Sequence, residues 1–357
     1  MLRDAIDLTQ INHALVVILG HHGDVLLTSP VFQVLKNHAP HAKIDALVYG
    51  ETAPMLTLHP AIDSVFSIDR NWKQEQPWTR LRREFNLFSS LRSRRYDLIV
   101  HLSGNPRGPW LKRLLRIRYG IAPKINGRSR AAWKSFTHFF PLADRSHMVE
   151  RNLDALRRVG IIPAFEERRL ILEPGEAAEE IVQTLMRDHG LKHKGFVQFH
   201  GGSRWMFKTW PSDKIATLLN RLVEGGYVIA LTGAPDDQEM MMVKQVLSLL
   251  EVNIVNLAGR LTLKQLAALS AQAALFVGVD SAPMHIAAAV GTPVVALFGP
   301  SSEITWGPWM VEHRVVTSNH ACRPCGYDGC GGGKLSECLT TLPVERVLAA
   351  VREINKR

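Results

Sequence analysis

The sequence predicts an α/β protein made of two similar halves, each a parallel sheet with helices on both faces and a cleft between the halves. Three observations carry that prediction. Short apolar runs alternate with amphipathic stretches of helical length, the pattern of successive βαβ units. The alternation breaks at "LEPGE", residues 172–176, and restarts near residue 195. Strands run into glycine-bearing turns, as "VVILGHHGD" does at residues 16–24, where Gly20 and Gly23 let the backbone turn tightly before a helix.

In the first half the strands are "LVVIL" (15–19), "KIDALVY" (43–49), "SVFSI" (64–68) and "YDLIVHL" (96–102). A helix is expected over 25–38, ended near Pro40, and a basic helix over 78–95. In the second half "GFVQFHGGS" (195–203), "YVIALTGAP" (227–235), "NIVNLAG" (253–259), "AALFVGVD" (273–280) and "PVVALFG" (293–299) read as strands. Helices fall between them over 212–225, 236–250, 262–272 and 282–290, and an acid-rich helix start follows Pro174-Gly175. The domain expectation is 1–172, 173–342 and a last helix, 343–357. That helix carries Val344, Val347, Leu348 and Val351 on one face.

Ligands of parallel α/β sheets gather at the carboxyl ends of strands, so the turns there are the places to search. After the first strand come His21, His22 and Asp24. Amides at a helix start attract anions, and the helix dipole favours an ionised acid there. Asp24 would then serve as a general base near pH 7; the alternative is a helix-capping aspartate. The histidines are adjacent, so their side chains diverge and make a poor metal pair. The dinucleotide fingerprint G-x-G-x-x-G is absent from this turn.

In the second half, "HGGSRWMFKTWP" (200–211) supplies exposed amides, Ser203, Arg204 and Lys208, a set suited to a diphosphate; the alternative is a solvated loop with a tryptophan anchor. In "FVGVDSAPMHIAAAVGTPVVALFGPS" (276–301) a strand ends at Asp280. Ser281 sits where an N-cap belongs and Pro283 in the first helical turn. The amides there with Ser281 could hold a phosphate, and His285 lies one turn on. A single helical histidine is usually structural; its place five residues after a strand-end acid favours a functional role.

Bulk properties narrow the class. The chain has 357 residues, 46% hydrophobic and 21% charged, the proportions of a globular protein with a real core. Its net charge of +10 points to an anionic partner. From Arg70 to Lys134 there are 17 Lys or Arg against three acids, with apolar residues interleaved. The alternatives are a solvated helix face, an acidic membrane surface or nucleic acid. No zinc finger, RNP signature or recognition-helix pattern supports nucleic acid. No secretory signal and no run of about 18 apolar residues is evident. The expected location is the cytoplasm, with the protein resting on a membrane.

The pairing of "GHHGDVLLTSPV" with "GVDSAPMHIAAAVGTPVVALFGPS" resembles the bacterial lipopolysaccharide heptosyltransferases, glycosyltransferase family 9. "KSFTHFFPLADRSHMVERNLDALRRVGI" (134–161) and "KTWP" (208–211) extend the resemblance over nearly the whole chain. The "HHGD" form and the "SFTH…HMVERNL" block look most like the heptosyltransferase III type of the inner core. The resemblance implies a GT-B fold: two Rossmann-like domains facing across a cleft, the first binding acceptor and the second ADP-L-glycero-D-manno-heptose. It implies an inverting transfer that needs no metal, and a last helix that packs back on the first domain. By the same resemblance Asp24 is the catalytic base and Lys208 contacts donor phosphate. Asp280 meets the heptose and diphosphate, the main chain at Ser281 and Ala282 lies at the phosphates, and His285 is the motif histidine. Ser203 and Arg204 join the donor set, while His21 and His22 line the acceptor pocket. The partners implied are ADP-heptose, the lipopolysaccharide inner core and the cytoplasmic face of the inner membrane, with no nucleic acid. The readings kept beside it are a heptosyltransferase of type I or II, another nucleotide-sugar transferase of the same fold, and a silent nucleotide- or glycolipid-binding protein.

All four cysteines, Cys322, Cys325, Cys330 and Cys338, fall within "CRPCGYDGCGGGKLSEC". The C-x2-C pair suits one side of a structural Zn or Fe–S site. Free thiols in a glycine-rich loop are the alternative.

Overall fold

The computed structural model describes residues 4–74, 76–125, 133–142 and 145–354. Glu75, Arg128 and Arg130 of the basic stretch, Ala143 and Asp144 of the 134–161 block, and 355–357 of the last helix lie outside the described residues. The chain divides into two compact units, Met1–Leu172 and Glu173–Arg357.

The first unit runs β1 (His13–Val17), α1 (His22–Leu26), α2 (Ser29–His38), β2 (Lys43–Tyr49), β3 (Ser64–Ile68), α3 (Pro77–Ser93), β4 (Leu98–His101), α4 (Arg107–Leu114), β5 (Tyr119–Pro123), β6 (His138–Phe140) and α5 (Met148–Arg157). Its sheet is parallel, ordered β3-β2-β1-β4-β5-β6. β1 and β4 are continuous apolar runs because helices cover both sheet faces. One face packs Leu15, Val17 and Ile99 against Leu87 and Leu91 of α3 and Leu111 of α4.

The second unit runs α6 (Glu176–Asp188), β7 (Val197–His200), α7 (Ser212–Glu224), β8 (Ile229–Thr232), α8 (Asp237–Ser248), β9 (Val255–Asn256), α9 (Leu263–Gln272), β10 (Leu275–Val279), α10 (Ala282–Ala289), β11 (Val294–Leu297), α11 (Glu303–Trp306), β12 (His313–Val316), α12 (Glu337–Thr340) and α13 (Val344–Ile354). Its parallel sheet, β12-β11-β10-β7-β8-β9, repeats the order of the first read from the other edge. In each sheet the winding reverses once, between β1 and β4 and between β7 and β10, and loops diverge there to leave a crevice.

Two local expectations change. The helix expected over 25–38 is two helices, and the first begins at His22, so Asp24 sits inside its first turn. The break comes at Leu27–Thr28, where Thr28 Oγ1 donates to the Val25 carbonyl and Pro30 supplies no N–H to continue the ladder. β5, β6 and β12 escape the hydrophobic pattern: β5 contains Gly120 and Pro123, β6 has three residues, and β12 is a part-buried edge strand. The last helix packs within the second unit. Its apolar stripe, Val344, Val347, Leu348, Val351 and Ile354, joins the core that contains Leu218 and Leu222 of α7 and Val316 of β12, inside the second unit.

Candidate functional site

The switch point of the first sheet holds the turn after β1. Asp24 Oδ2 accepts the His21 backbone N–H at 2.8 Å, so one carboxylate oxygen closes the helix start as a cap would. The residue is only part-buried. Gly20 is required here: a Cβ on it would lie 2.9 Å from Asp24 Oδ2. His22 Nε2–H donates to the Glu51 carbonyl (3.0 Å). Arg70 anchors the turn from the far side. It donates to the Gly20 carbonyl (2.9 Å), pairs with Glu51 (2.6 Å) and lies over the Tyr49 ring (4.0 Å).

Arg70 and Tyr49 also border a cavity of about 780 Å³ at the carboxyl ends of β2, β3 and β4. Trp72, Arg80, Arg107 and Trp110 are among its other walls. Arg107 is held by both oxygens of Glu84 (2.7 and 2.6 Å). The cavity loop rests on His101, whose Nε2–H donates to the Asn105 carbonyl (3.0 Å), while Asn105 reaches Tyr49 Oη (3.2 Å). His101 is fully buried against Trp133 and Phe136, and burial pushes its pKa down to about 4.

The switch point of the second sheet joins the two halves of the expected donor set. Lys208 Nζ donates to Asp280 Oδ2 at 2.7 Å; Asp280 is buried and Lys208 part-buried. Asp280 directly follows β10, and α10 begins at Ala282. Ser281 occupies the N-cap position without capping, because its hydroxyl donates back to the Val279 carbonyl (3.3 Å). That leaves the helix start uncapped by any side chain, an arrangement suited to an anion.

The match that decides the family covers residues 84–335 and is to glycosyltransferase family 9 (heptosyltransferase). The chain belongs to glycosyltransferase family 9. It is 33% identical over 343 residues to lipopolysaccharide heptosyltransferase 3 of Escherichia coli K12, covering 94% of this chain and 96% of the relative. The family 9 glycosyltransferase structure from Veillonella parvula superposes with a TM-score of 0.83 at 22% identity, over 98% and 99% of the two chains. The E. coli ADP-heptose lipopolysaccharide heptosyltransferase II structure gives 0.74 at 22% identity, over 96% and 98%. The fold of this family 9 enzyme is GT-B.

Within the family 9 framework the remaining candidates differ in accessibility. Ser203 is buried and accepts the Trp205 backbone N–H (3.3 Å). Arg204 is exposed, over the Trp205 ring. His285 is buried inside α10. A pair missed in the sequence ties the loops after β7 and β8 together. Glu239 is buried, accepts the Ala234 N–H after β8 (2.8 Å) and faces His200 Nε2 at the end of β7 (3.5 Å). Burial alone would raise its pKa; the His200 hydrogen bond and charge and the Ala234 amide outweigh that and hold it low. Its signal was the acid cluster in "APDDQE", where Asp236 proves to be the N-cap of α8.

The structural metal expected at the cysteines finds no support. Among the described residues no three His, Cys, Asp or Glu side chains are placed to hold a metal. Cys322 and Cys330 are exposed, Cys325 is part-buried and Cys338 is buried in α12. Burial, and then the neighbouring thiols, push the Cys338 thiol up. Protein contacts hold the loop instead: Arg323 donates to the Gly299 carbonyl (2.7 Å) and Gly326 N–H to the Pro300 carbonyl (2.9 Å).

Proposed function

We propose that this enzyme moves heptose from ADP-L-glycero-D-manno-heptose to the lipopolysaccharide inner core, as a heptosyltransferase of type III, by an inverting, metal-independent displacement. The observation that carries the reading is the Lys208–Asp280 pair beside an uncapped helix start at one switch point, with a part-exposed carboxylate at the other. Asp24 accepts the proton of the acceptor hydroxyl through a lone pair not used by His21. The acceptor oxygen attacks the anomeric carbon from the face opposite ADP. The bond from that carbon to the diphosphate breaks, and its electron pair leaves with ADP. Lys208 and the α10 amides at Ser281 and Ala282 meet that growing negative charge, with Asp280 aiming the ammonium. Such preorganised donors contribute on the order of 3 kcal/mol each.

The acceptor belongs in the first unit. The cavity whose Arg70 wall also holds the Gly20 carbonyl offers Arg70 and Arg80 for anionic groups and Trp72 and Trp110 for sugar faces, and an acceptor held there would extend toward the turn that carries His21, His22 and Asp24. Because the acceptor is lipid-anchored, the enzyme works peripherally at the cytoplasmic face of the inner membrane. Among the described residues no helix is long and apolar enough to cross a membrane. The test is incubation with ADP-heptose and defined truncated core acceptors, with product identified by mass spectrometry. Addition of one heptose to an inner-core acceptor is expected. Failure with every heptose-bearing acceptor, or transfer from a different nucleotide sugar, would overturn the proposal.

A further inference from the structure

The first unit leaves a large apolar stripe in water. On α3, Trp78, Leu81 and Phe85 are 81%, 59% and 66% exposed, and part-buried Phe88 continues the row. Spacings of three, four and three residues place all four on one helical face. The helix sends only Leu87 and Leu91 fully into the core. On α4, Trp110 and Leu114 are also more than half exposed, one turn apart. Phe88, Trp110 and Leu114 all line the cavity beside the Asp24 turn, so the two helices share an apolar rim that leads into it. Isolated apolar side chains on a surface need no explanation; a row of this size does.

The cations around that rim identify the occupant. Arg82 and Arg92 on α3 and Arg113 on α4 are exposed, and the acid of α3, Glu84, is already held by Arg107. We infer that the α3–α4 face is where the enzyme lies on an anionic phospholipid bilayer, placing the cavity mouth against the leaflet. Apolar side chains enter the acyl boundary, Trp78 sits at headgroup level, and the arginines meet phosphates. Leu81 and Leu114 fit acyl chains and have no stacking use for a nucleic acid. The inference deepens the proposal of a lipid-anchored acceptor and rests on it: a substrate held in the leaflet reaches the cavity without leaving the membrane.

The test uses the full-length protein and vesicles of phosphatidylcholine with or without phosphatidylglycerol. The native protein is expected to sediment with the anionic vesicles, weakly with neutral ones, and less in high salt. The variant W78S/L81S/F85S should lose sedimentation, and R82A/R92A should bind about 30-fold more weakly, from about 1 kcal/mol per arginine. Both should keep native thermal midpoints and native turnover on a soluble, deacylated core acceptor, and both should slow on the same core embedded in vesicles. Unchanged sedimentation of the triple variant, or equal native binding to neutral vesicles, overturns the inference. Retention on immobilised single-stranded RNA is measured alongside, and its loss in R82A/R92A with vesicle binding intact also overturns the inference. If the native protein binds vesicles as expected and yet transfers no heptose to the soluble acceptor, the proposed reaction fails while the docking surface stands.

Discussion

Replacing Lys208 by methionine keeps most of the side-chain volume and removes the ammonium that lies 2.7 Å from Asp280. Asp280 is 7% exposed at its side chain and Lys208 22%. Breaking a fully buried pair costs about 3–5 kcal/mol, because one charge is left without a partner. An exposed pair is worth at most about 1 kcal/mol. The partial exposure of Lys208 places this pair between them, at about 2 kcal/mol. For a unit of about 150–250 residues that lowers the thermal midpoint by about 4–8 °C. Lys208→Met with Asp280→Asn removes the stranded charge and should recover most of that stability. Turnover should separate the two roles. If Lys208 meets the departing diphosphate, both variants stay slow, by about 100-fold or more. Calorimetric melting and steady-state kinetics on the same preparations provide the readout. A single variant that melts like the native protein, or a double variant that recovers turnover along with stability, would refute the reasoning.

Gly202→Ala would set a Cβ 2.1 Å from Glu239 Oε2, and Glu239 can yield only by giving up the Ala234 amide or His200. A loss of about 1.5–3 kcal/mol, as for a hydrogen bond to a charged group, should appear in urea unfolding together with weaker ADP binding; an unchanged midpoint would remove Glu239 as the brace of those loops. His101 binds its proton near pH 4 when folded and near 6.5 when unfolded. The unfolded chain therefore takes up the proton first, and stability is lost as pH falls from about 6.5 to about 4. The loss is about 3 kcal/mol at about 1.4 kcal/mol per pH unit. Stability curves for His101→Gln should lack that component, and parallel acid slopes for the two proteins would contradict the burial argument.

The legible parts of this molecule were those where one local pattern decides the outcome. Val16–Leu19, Phe276–Val279 and Val294–Phe298 are apolar runs that end at turns on the sheet rim, and each supplies residues of an interior strand. Asp280 was legible for the same reason: an acid at the end of a buried strand and ahead of Ser-Ala-Pro can sit only at the rim of the sheet. Lys208 stood out as a candidate phosphate ligand, but its partner Asp280 lies 72 residues away, and no sequence spacing encodes that contact. Glu239 and His200 were hidden likewise, since each looks ordinary until the loops after β7 and β8 meet. β6 and β12 lack a readable pattern because edge strands bury little. The last helix has an apolar face but no mark saying which neighbour will cover it, and α7 with β12 does. Cysteine spacing alone does not place a metal because C-x2-C constrains only two of four thiols, and Arg323 and Gly326 hold the loop by protein contacts.

The central claim is that Asp24 removes the acceptor proton while the second unit holds the donor. Single-turnover heptose transfer by Asp24→Ala, measured beside its ADP dissociation constant, tests it most directly. Transfer should slow by about 10²- to 10⁴-fold with ADP affinity unchanged. Near-native transfer, or ADP affinity lost in step with activity, would contradict it.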